Sequence, residues 1–223
     1  MRMWMVAAAA SVVMAPAAAQ NWAETVSVTP KGGVLIGNPA AKVKLVEYGS
    51  LSCGTCAQFH TNGLPPLKAK YLAGGKVSYE FRSFVRNGPD YAGSLIAACL
   101  PAKPQLGMLD AMFEGQGAWL QPYMKVQPAD MQGVAALPMA QQFVRLAELG
   151  GLYGFAATRG LPEARARACL ADAALIEKVA ANRKEAVEVH GLTGTPTFVL
   201  DGKTLDGVLD WSALDPKLAA AVG

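Results

Sequence analysis

The sequence contains two cysteines, Cys53 and Cys56, that are separated by two residues. Such a pair can form a redox-active disulfide, supply two zinc ligands or attach a haem. Haem attachment requires a histidine directly after the second cysteine, and Ala57 occupies that position. Zinc could use both cysteines and His60 with the distant His190, but structural zinc sites usually draw on a second close pair of ligands, which this sequence lacks. The spacing favours a redox dithiol with no metal and no other cofactor, and a periplasmic metal-binding chaperone is the alternative.

The chemistry expected of the pair depends on where a helix begins. An apolar run precedes Cys53, and the residues after it are typical of a helix. A cysteine in the first helical turn is close to unpaired backbone N–H groups and to the positive end of the helix dipole, which lower the pKa of its thiol. We therefore expect Cys53 to be the nucleophile and the sulfur exposed to substrate. Cys56, one turn later and deeper, would close the disulfide and resolve mixed disulfides.

The first 19 residues have the layout of an export signal. Arg2 precedes an apolar stretch that is too short to span a bilayer, and Pro16 is followed by three alanines that end at Ala19. We expect cleavage after Ala19 and a soluble protein that is secreted into a bacterial periplasm. In that oxidising compartment, the even number of cysteines points to two disulfides.

The residues around the dithiol predict a βαβ unit. Residues 43–48 alternate in polarity and include β-branched side chains, as strands do. A helix follows from the cysteine pair, is interrupted by the prolines at 65 and 66, and ends at two glycines before a second strand at 77–85. Strand, helix and strand within about 45 residues have the size of a βαβ unit with a parallel strand pair.

Beyond residue 86 the pattern changes. Helical stretches cut by prolines continue without a convincing strand to a strongly periodic helix at 173–190. Two short strands around Asp201-Gly202 and a terminal helix then close the chain. These elements predict an α/β protein with a thioredoxin-like core (βαβ…ββα) and an inserted all-helical subdomain. The expected division is a signal peptide (1–19), an N-terminal lead marked by turn signals (20–40), a thioredoxin-like domain (41–86 and 180–223) and the helical insert (87–179).

Three features together point to a known family. They are the motif Cys53-Gly54-Thr55-Cys56 at a strand-to-helix junction, the stretch GTPTF at 194–198 that opens a late strand, and the helical insert between them. In these features the sequence resembles the DsbA-like periplasmic thiol–disulfide oxidoreductases. The resemblance implies an enzyme that forms disulfides in reduced or unfolded exported polypeptides, and a membrane redox partner that recycles the dithiol.

The resemblance also assigns roles outside the motif. In the thioredoxin fold, the proline at the position of Pro196 is cis and faces the dithiol, and the backbone of the preceding residue, here Thr195, docks an extended substrate. Glu47 stands six residues before Cys53, where the fold keeps a buried acid beneath the resolving sulfur. Burial raises the pKa of a carboxyl group, which can then exchange a proton with Cys56.

The residues between the cysteines bear on the direction of electron transfer. Family members with Pro-His there stabilise the thiolate further and are strong oxidants, whereas Gly54, Thr55 and Thr195 resemble those of isomerases and reductases. Dimeric isomerases carry an N-terminal dimerisation domain, and only about 20 residues lie between the expected cleavage point and the first predicted strand. We therefore expect a monomeric oxidase, with a disulfide isomerase or reductase of the same fold as the alternative.

The other two cysteines, Cys99 and Cys169, both lie in the predicted insert. As a disulfide they would close a loop of about 70 residues, which contributes on the order of 4 kcal/mol to stability. Two free buried cysteines are the alternative. We interpret the pair as a structural disulfide.

The charge of the chain gives no indication of nucleic-acid binding. Removal of Arg2 with the signal lowers the formal net charge from +3 to +2. The remaining lysines and arginines form no run that would make a basic patch. We therefore expect no nucleic acid among the partners.

Overall fold

The computed structural model describes residues 20–223, so the predicted signal at 1–19 lies outside the described residues. A six-stranded sheet has the strand order β1-β2-β4-β3-β5-β6. Its strands are β1 (Val26–Val28), β2 (Val34–Gly37), β3 (Val43–Gly49), β4 (Val77–Ser83), β5 (Thr197–Leu200) and β6 (Lys203–Thr204). The α-helices of the described part are α1 (Gly54–Asn62), α2 (Leu64–Leu67), α3 (Gly88–Ala98), α4 (Ala102–Glu114), α5 (Gln116–Met124), α6 (Met139–Leu149), α7 (Leu152–Ala157), α8 (Glu163–Leu170), α9 (Ala173–His190) and α10 (Trp211–Val222).

β3 lies in the middle of the sheet and leads into the dithiol helix. It pairs in parallel with β4 and antiparallel with β5, so that Glu47 lies between Phe81 and Phe198. Along the strand, Leu45 is buried and Lys44 is exposed, which is the alternation the sequence predicted. The α/β thioredoxin-like fold, with its βαβ unit and its C-terminal hairpin and helix, is confirmed.

The segment before β3 adds two strands that the sequence did not predict. β1 and β2 form an antiparallel hairpin, and β2 extends the sheet by pairing with β4, where Ile36 lies opposite Tyr79. Thr29 and Gly33 pack on β4: the Thr29 hydroxyl donates to Glu80 at 2.7 Å, and a Cβ on Gly33 would lie 2.3 Å from the same carboxylate. Strands of three and four residues are too short to show a periodicity, so only their tertiary pairing reveals them.

Helices α3 to α9 lie between β4 and β5 and share one hydrophobic core with the sheet. Cys99 at the end of α3 is bonded to Cys169 on α8, with the two Cα atoms 5.8 Å apart. Within residues 20–223, no helix combines the length and the apolar character that crossing a bilayer requires. The division of the chain into a thioredoxin-like domain and a helical subdomain stays a prediction.

Candidate active site

The dithiol lies where β3 ends and α1 begins. Cys53 is the N-cap of α1, with an extended backbone (φ −95°, ψ 119°), and Cys56 lies one turn into the helix. Both carry free thiols. Gly49 is needed at the end of β3, because a Cβ there would lie 2.8 Å from Glu47 Oε1 and 2.5 Å from a ring carbon of Phe81. The end of the strand thus leaves space for a carboxyl group beneath the dithiol.

Cys53 is the acidic thiol of the pair. Its pKa is lowered to about 5, most of all by the hydrogen bond with the Cys56 thiol, and further by the Thr195 hydroxyl and the backbone N–H groups of Thr55 and Cys56, while burial acts against them. Within the described chain the buried Thr195 hydroxyl has no hydrogen-bond partner, so it is free to donate to a thiolate at Cys53. At pH 7 the Cys53 side chain is therefore a thiolate.

The Cys53 sulfur is less accessible than the sequence predicted. Only 6% of the residue surface is exposed. In its protonated form the thiol donates to the backbone carbonyl of Thr195 at 3.2 Å, a contact between residues 142 positions apart. The expectation of an exposed sulfur is wrong because the loop before β5 covers the start of α1, and no local pattern indicates that contact.

Cys56 is the deeper thiol and is fully buried. Burial raises its pKa above the ordinary value, and the Cys53 thiol and the charge of Glu47 raise it further, whereas the Ser50 amide lowers it. That amide donates to the Cys56 sulfur at 3.5 Å. A thiolate formed here is strongly disfavoured, so Cys56 needs a proton whenever its disulfide opens.

Glu47 is a buried carboxyl group on the strand that leads into the dithiol. It is 2% exposed on the core face of β3, and the Tyr79 hydroxyl donates to its Oε2 at 2.5 Å. Burial raises the pKa of Glu47 to about 8, the Tyr79 hydrogen bond opposes this rise, and the negative charge of Cys53 adds to it. At neutral pH the carboxyl group is mostly protonated, and it is near enough to influence the ionisation of Cys56. A protonated carboxyl group beside a released thiolate can act as a general acid.

Thr195 and Pro196 lie next to the dithiol. The peptide bond between them is cis, and β5 begins at the following residue. Because the Thr195 carbonyl accepts the Cys53 hydrogen bond, this loop and the start of α1 form one surface. Beside the surface lies a groove of about 480 Å³ whose lining includes Thr55 of α1 and Trp211 of α10.

Four residues that hold the site were not predicted: Ser50, Tyr79, Asp90 and Gln116. Ser50 lies in the turn after β3 and donates to Cys56. The other three bond to β3 or to that turn, and their partners are more than 30 positions away. The one local signal was Asn87, which caps α3 by accepting from the Asp90 amide. That spacing predicts a helix start but not a contact with the dithiol.

The residues of the zinc alternative are not assembled into a site. Within residues 20–223, no three His, Cys, Asp or Glu side chains are grouped so that they could hold a metal ion. His60 pairs with Asp110 and stacks on Phe113, with ring centroids 4.6 Å apart. His190 lies 3.9 Å from a carboxylate oxygen of Glu185.

A parallel βαβ unit with a dithiol at its helix start and a cis-proline loop beside it defines a thioredoxin-fold dithiol protein. The family model described as thioredoxin matches residues 29–219. The chain belongs to this family.

Solved structures share the fold over most of the chain. A protein-disulfide isomerase from Novosphingobium aromaticivorans is 33% identical, with a TM-score of 0.81 over 86% of this chain and 98% of that one. The alpha-DsbA1 protein of Wolbachia pipientis is 23% identical and shares the fold, with a TM-score of 0.67 over 85% of this chain and 90% of that one. The resemblance to DsbA-like proteins is confirmed.

Curated relatives are longer proteins. One from Rickettsia bellii, provisionally named a protein-disulfide oxidoreductase, is 25% identical over 170 residues, which are 76% of this chain and 57% of the relative. A Rickettsia felis protein with the same provisional name is 24% identical over 76% of this chain and 53% of its own length. The chain thus spans about half the length of the curated relatives it matches.

Proposed function

We propose that the protein is a periplasmic thiol–disulfide oxidoreductase that forms disulfides in exported polypeptides. The unequal acidity of the two cysteines carries this proposal. The pKa of Cys53 is lowered to about 5, whereas burial raises that of Cys56. A stabilised Cys53 thiolate favours the reduced pair over the disulfide. The disulfide form of such a pair is easily reduced and therefore oxidises its substrates.

The reaction consists of two thiol–disulfide exchanges. A substrate thiolate attacks Cys53 in the Cys53–Cys56 disulfide, and Cys56 leaves and takes a proton from Glu47. A second substrate thiolate then attacks the substrate sulfur of the mixed disulfide, and Cys53 leaves as a thiolate. Two electrons pass from substrate to dithiol, the substrate gains one disulfide, and Glu47 recovers its proton from solvent.

The surface around the dithiol suits an extended polypeptide. The backbone of Thr195 and the cis Pro196 border the Cys53 sulfur. Thr195 and Pro196 line one cavity, of about 270 Å³, and Thr55 of the dithiol motif lines a separate groove with Trp211. Because the sulfur is covered by the Thr195 loop, we infer that a substrate backbone must pair along this loop to reach it. These contacts support Thr195 and Pro196 as substrate-binding residues.

The location and the partners rest on sequence. The export signal at 1–19 supports a soluble periplasmic protein, and the reduced polypeptides present there supply the substrate thiols. Each turnover leaves a reduced dithiol, and we propose that a membrane redox partner accepts its two electrons. We propose a monomer that does not bind nucleic acid.

The redox potential of the Cys53–Cys56 pair tests the proposal. Equilibration with glutathione should give a value on the order of −200 to −130 mV, between thioredoxin and the strongest periplasmic oxidants. A value near −270 mV, like that of thioredoxin, would favour a reductase instead.

Disulfide isomerisation is the second candidate function. The Novosphingobium relative bears the name protein-disulfide isomerase, and Gly54, Thr55 and Thr195 resemble the corresponding isomerase residues. Two substrates separate the candidates: a small reduced protein, which an oxidase converts, and the same protein with scrambled disulfides, which an isomerase restores. Faster recovery of the scrambled protein than of the reduced one would favour the isomerase.

A further inference from the structure

Two side chains from the helices after β4 hold the turn that carries Cys53. Gln116, the first residue of α5, donates through Nε2 to the carbonyl oxygens of Leu51 and Cys53, at 2.9 and 3.0 Å. Asp90 of α3 accepts from the Leu51 amide at 2.9 Å and from the Ser50 hydroxyl at 2.7 Å. The peptide groups on both sides of Leu51 are therefore fixed by residues that are distant in sequence.

Asp90 is fully buried and faces this turn. Its third donor is the Arg86 amide, at 2.9 Å. The side chain that caps α3 is that of Asn87, and the Asp90 carboxylate is not needed for the cap. Most of the hydrogen bonds that this carboxylate accepts come from the turn. Burial raises the pKa of Asp90 to about 6, while its donors oppose that rise. Burying a carboxylate is unfavourable unless its hydrogen bonds are satisfied, and here they are satisfied by the turn.

The turn contacts both cysteines through a single residue. The Ser50 amide donates to the Cys56 sulfur at 3.5 Å. The Ser50 carbonyl accepts from the Cys53 amide at 3.1 Å. A displacement of Ser50 therefore changes the surroundings of both members of the pair.

We propose that Asp90 and Gln116 are positioning residues that act through the turn at residues 50–53 to set the redox equilibrium of Cys53 and Cys56. The inference rests on the proposed function and deepens it, because it assigns to helices outside the βαβ unit a part in the oxidising power of the dithiol. Neither side chain touches the reacting sulfurs, so their effect passes through the turn.

The direction of the effect follows from the hydrogen bond to Cys56. In the reduced pair the Cys56 thiol donates to the Cys53 thiolate. An N–H group that donates to the Cys56 sulfur strengthens this hydrogen bond, because hydrogen bonds in a chain polarise one another, and the disulfide form lacks the bond. Loss of the Ser50 amide from its position therefore destabilises the reduced pair. In Asp90→Asn one carboxylate oxygen becomes an NH₂ group, which cannot accept from the donors of the turn. The dithiol should then become more reducing.

The experiment compares glutathione equilibria of the wild-type protein, Asp90→Asn and Gln116→Ala. Both variants should shift the equilibrium constant at least threefold toward the Cys53–Cys56 disulfide. The rate at which a thiolate displaces Cys56 from the Cys53–Cys56 disulfide should fall as well. Asp172→Asn is the matched control, because that exposed carboxylate caps α9 through two backbone amides and lies outside the site.

The proposal is overturned if Asp90→Asn and Gln116→Ala both fold and both keep the wild-type equilibrium constant, whatever their melting temperatures. An equal shift in Asp172→Asn would also overturn it, since general destabilisation would then explain the effect. If Asp90→Asn does not fold, Gln116→Ala alone decides. If the wild-type dithiol itself does not exchange with glutathione, the proposed function fails, and this outcome is distinct from an unshifted variant.

Discussion

Replacing Glu47 with glutamine should change how protein stability depends on pH. Burial raises the pKa of this carboxyl group from its ordinary 4.5 to about 8 in the folded reduced protein. A raised carboxyl pKa gives greatest stability below the unfolded-state pKa, and that stability is lost as the pH rises through the folded-state pKa. The wild-type protein should therefore lose stability between pH 4.5 and 8, and Glu47→Gln should lack this loss.

The magnitude follows from the two pKa values. One pKa unit corresponds to about 1.36 kcal/mol, so Glu47 costs about 1 kcal/mol at pH 5 and about 3 kcal/mol at pH 7. The glutamine amide adds its own contribution, which does not depend on pH. The informative quantity is therefore the change with pH in the difference between the two proteins, about 2 to 3 kcal/mol from pH 5 to pH 7.

Urea unfolding of the reduced proteins across pH 5 to 7.5 measures this difference. Glu177→Gln is the matched control, because Glu177 is exposed on α9 and its removal should leave the pH dependence unchanged. Ionisation of Cys53 occurs in all three proteins and largely cancels in the comparison. A difference between Glu47→Gln and wild type that stays constant over this pH range would refute a protonated Glu47 beneath the dithiol.

Four further predictions concern the cysteines and Thr55. Iodoacetamide should label Cys53 near its maximal rate at pH 6 and leave Cys56 unlabelled, because only Cys53 is a thiolate there; equal labelling of the two would contradict their assigned roles. Cys56→Ser should trap mixed disulfides with substrates, and Cys53→Ser should abolish exchange. The double variant Cys99→Ser/Cys169→Ser should lose several degrees of Tm, since the disulfide contributes on the order of 4 kcal/mol. It should keep the wild-type glutathione equilibrium of Cys53 and Cys56. An unchanged Tm would exclude a stabilising bridge. Thr55→His should make the dithiol more oxidising by placing a group that can carry positive charge near the Cys53 thiolate, with Thr55→Ser as control; an unchanged potential would contradict that account.

The sequence predicted the parts of the fold whose signals are local. β3, α1 and β4 follow from polarity patterns and turn residues, and the motif at Cys53 follows from the position of a helix start. β1 and β2 were missed because their pairing with β4, and not their own pattern, makes them strands. The loop at Thr195 that covers Cys53 and the contacts of Asp90 and Gln116 were missed for the same physical reason. They join residues tens of positions apart that only the packed chain brings together.

Two buried carboxyl groups flank the dithiol. They differ in the number of hydrogen bonds that each accepts, and this difference separates their pKa values. Glu47 has one side-chain donor, the Tyr79 hydroxyl, so burial prevails and its pKa rises to about 8. Asp90 accepts from the Ser50 hydroxyl and from two backbone amides, so its pKa rises only to about 6. At pH 7 Glu47 therefore holds a proton that Cys56 can take, whereas Asp90 is mostly ionised and can hold the turn. Environments that separate the pKa values of neighbouring acids suit them to different functions, and this separation supports the proposed proton transfer at Glu47 and the proposed positioning at Asp90.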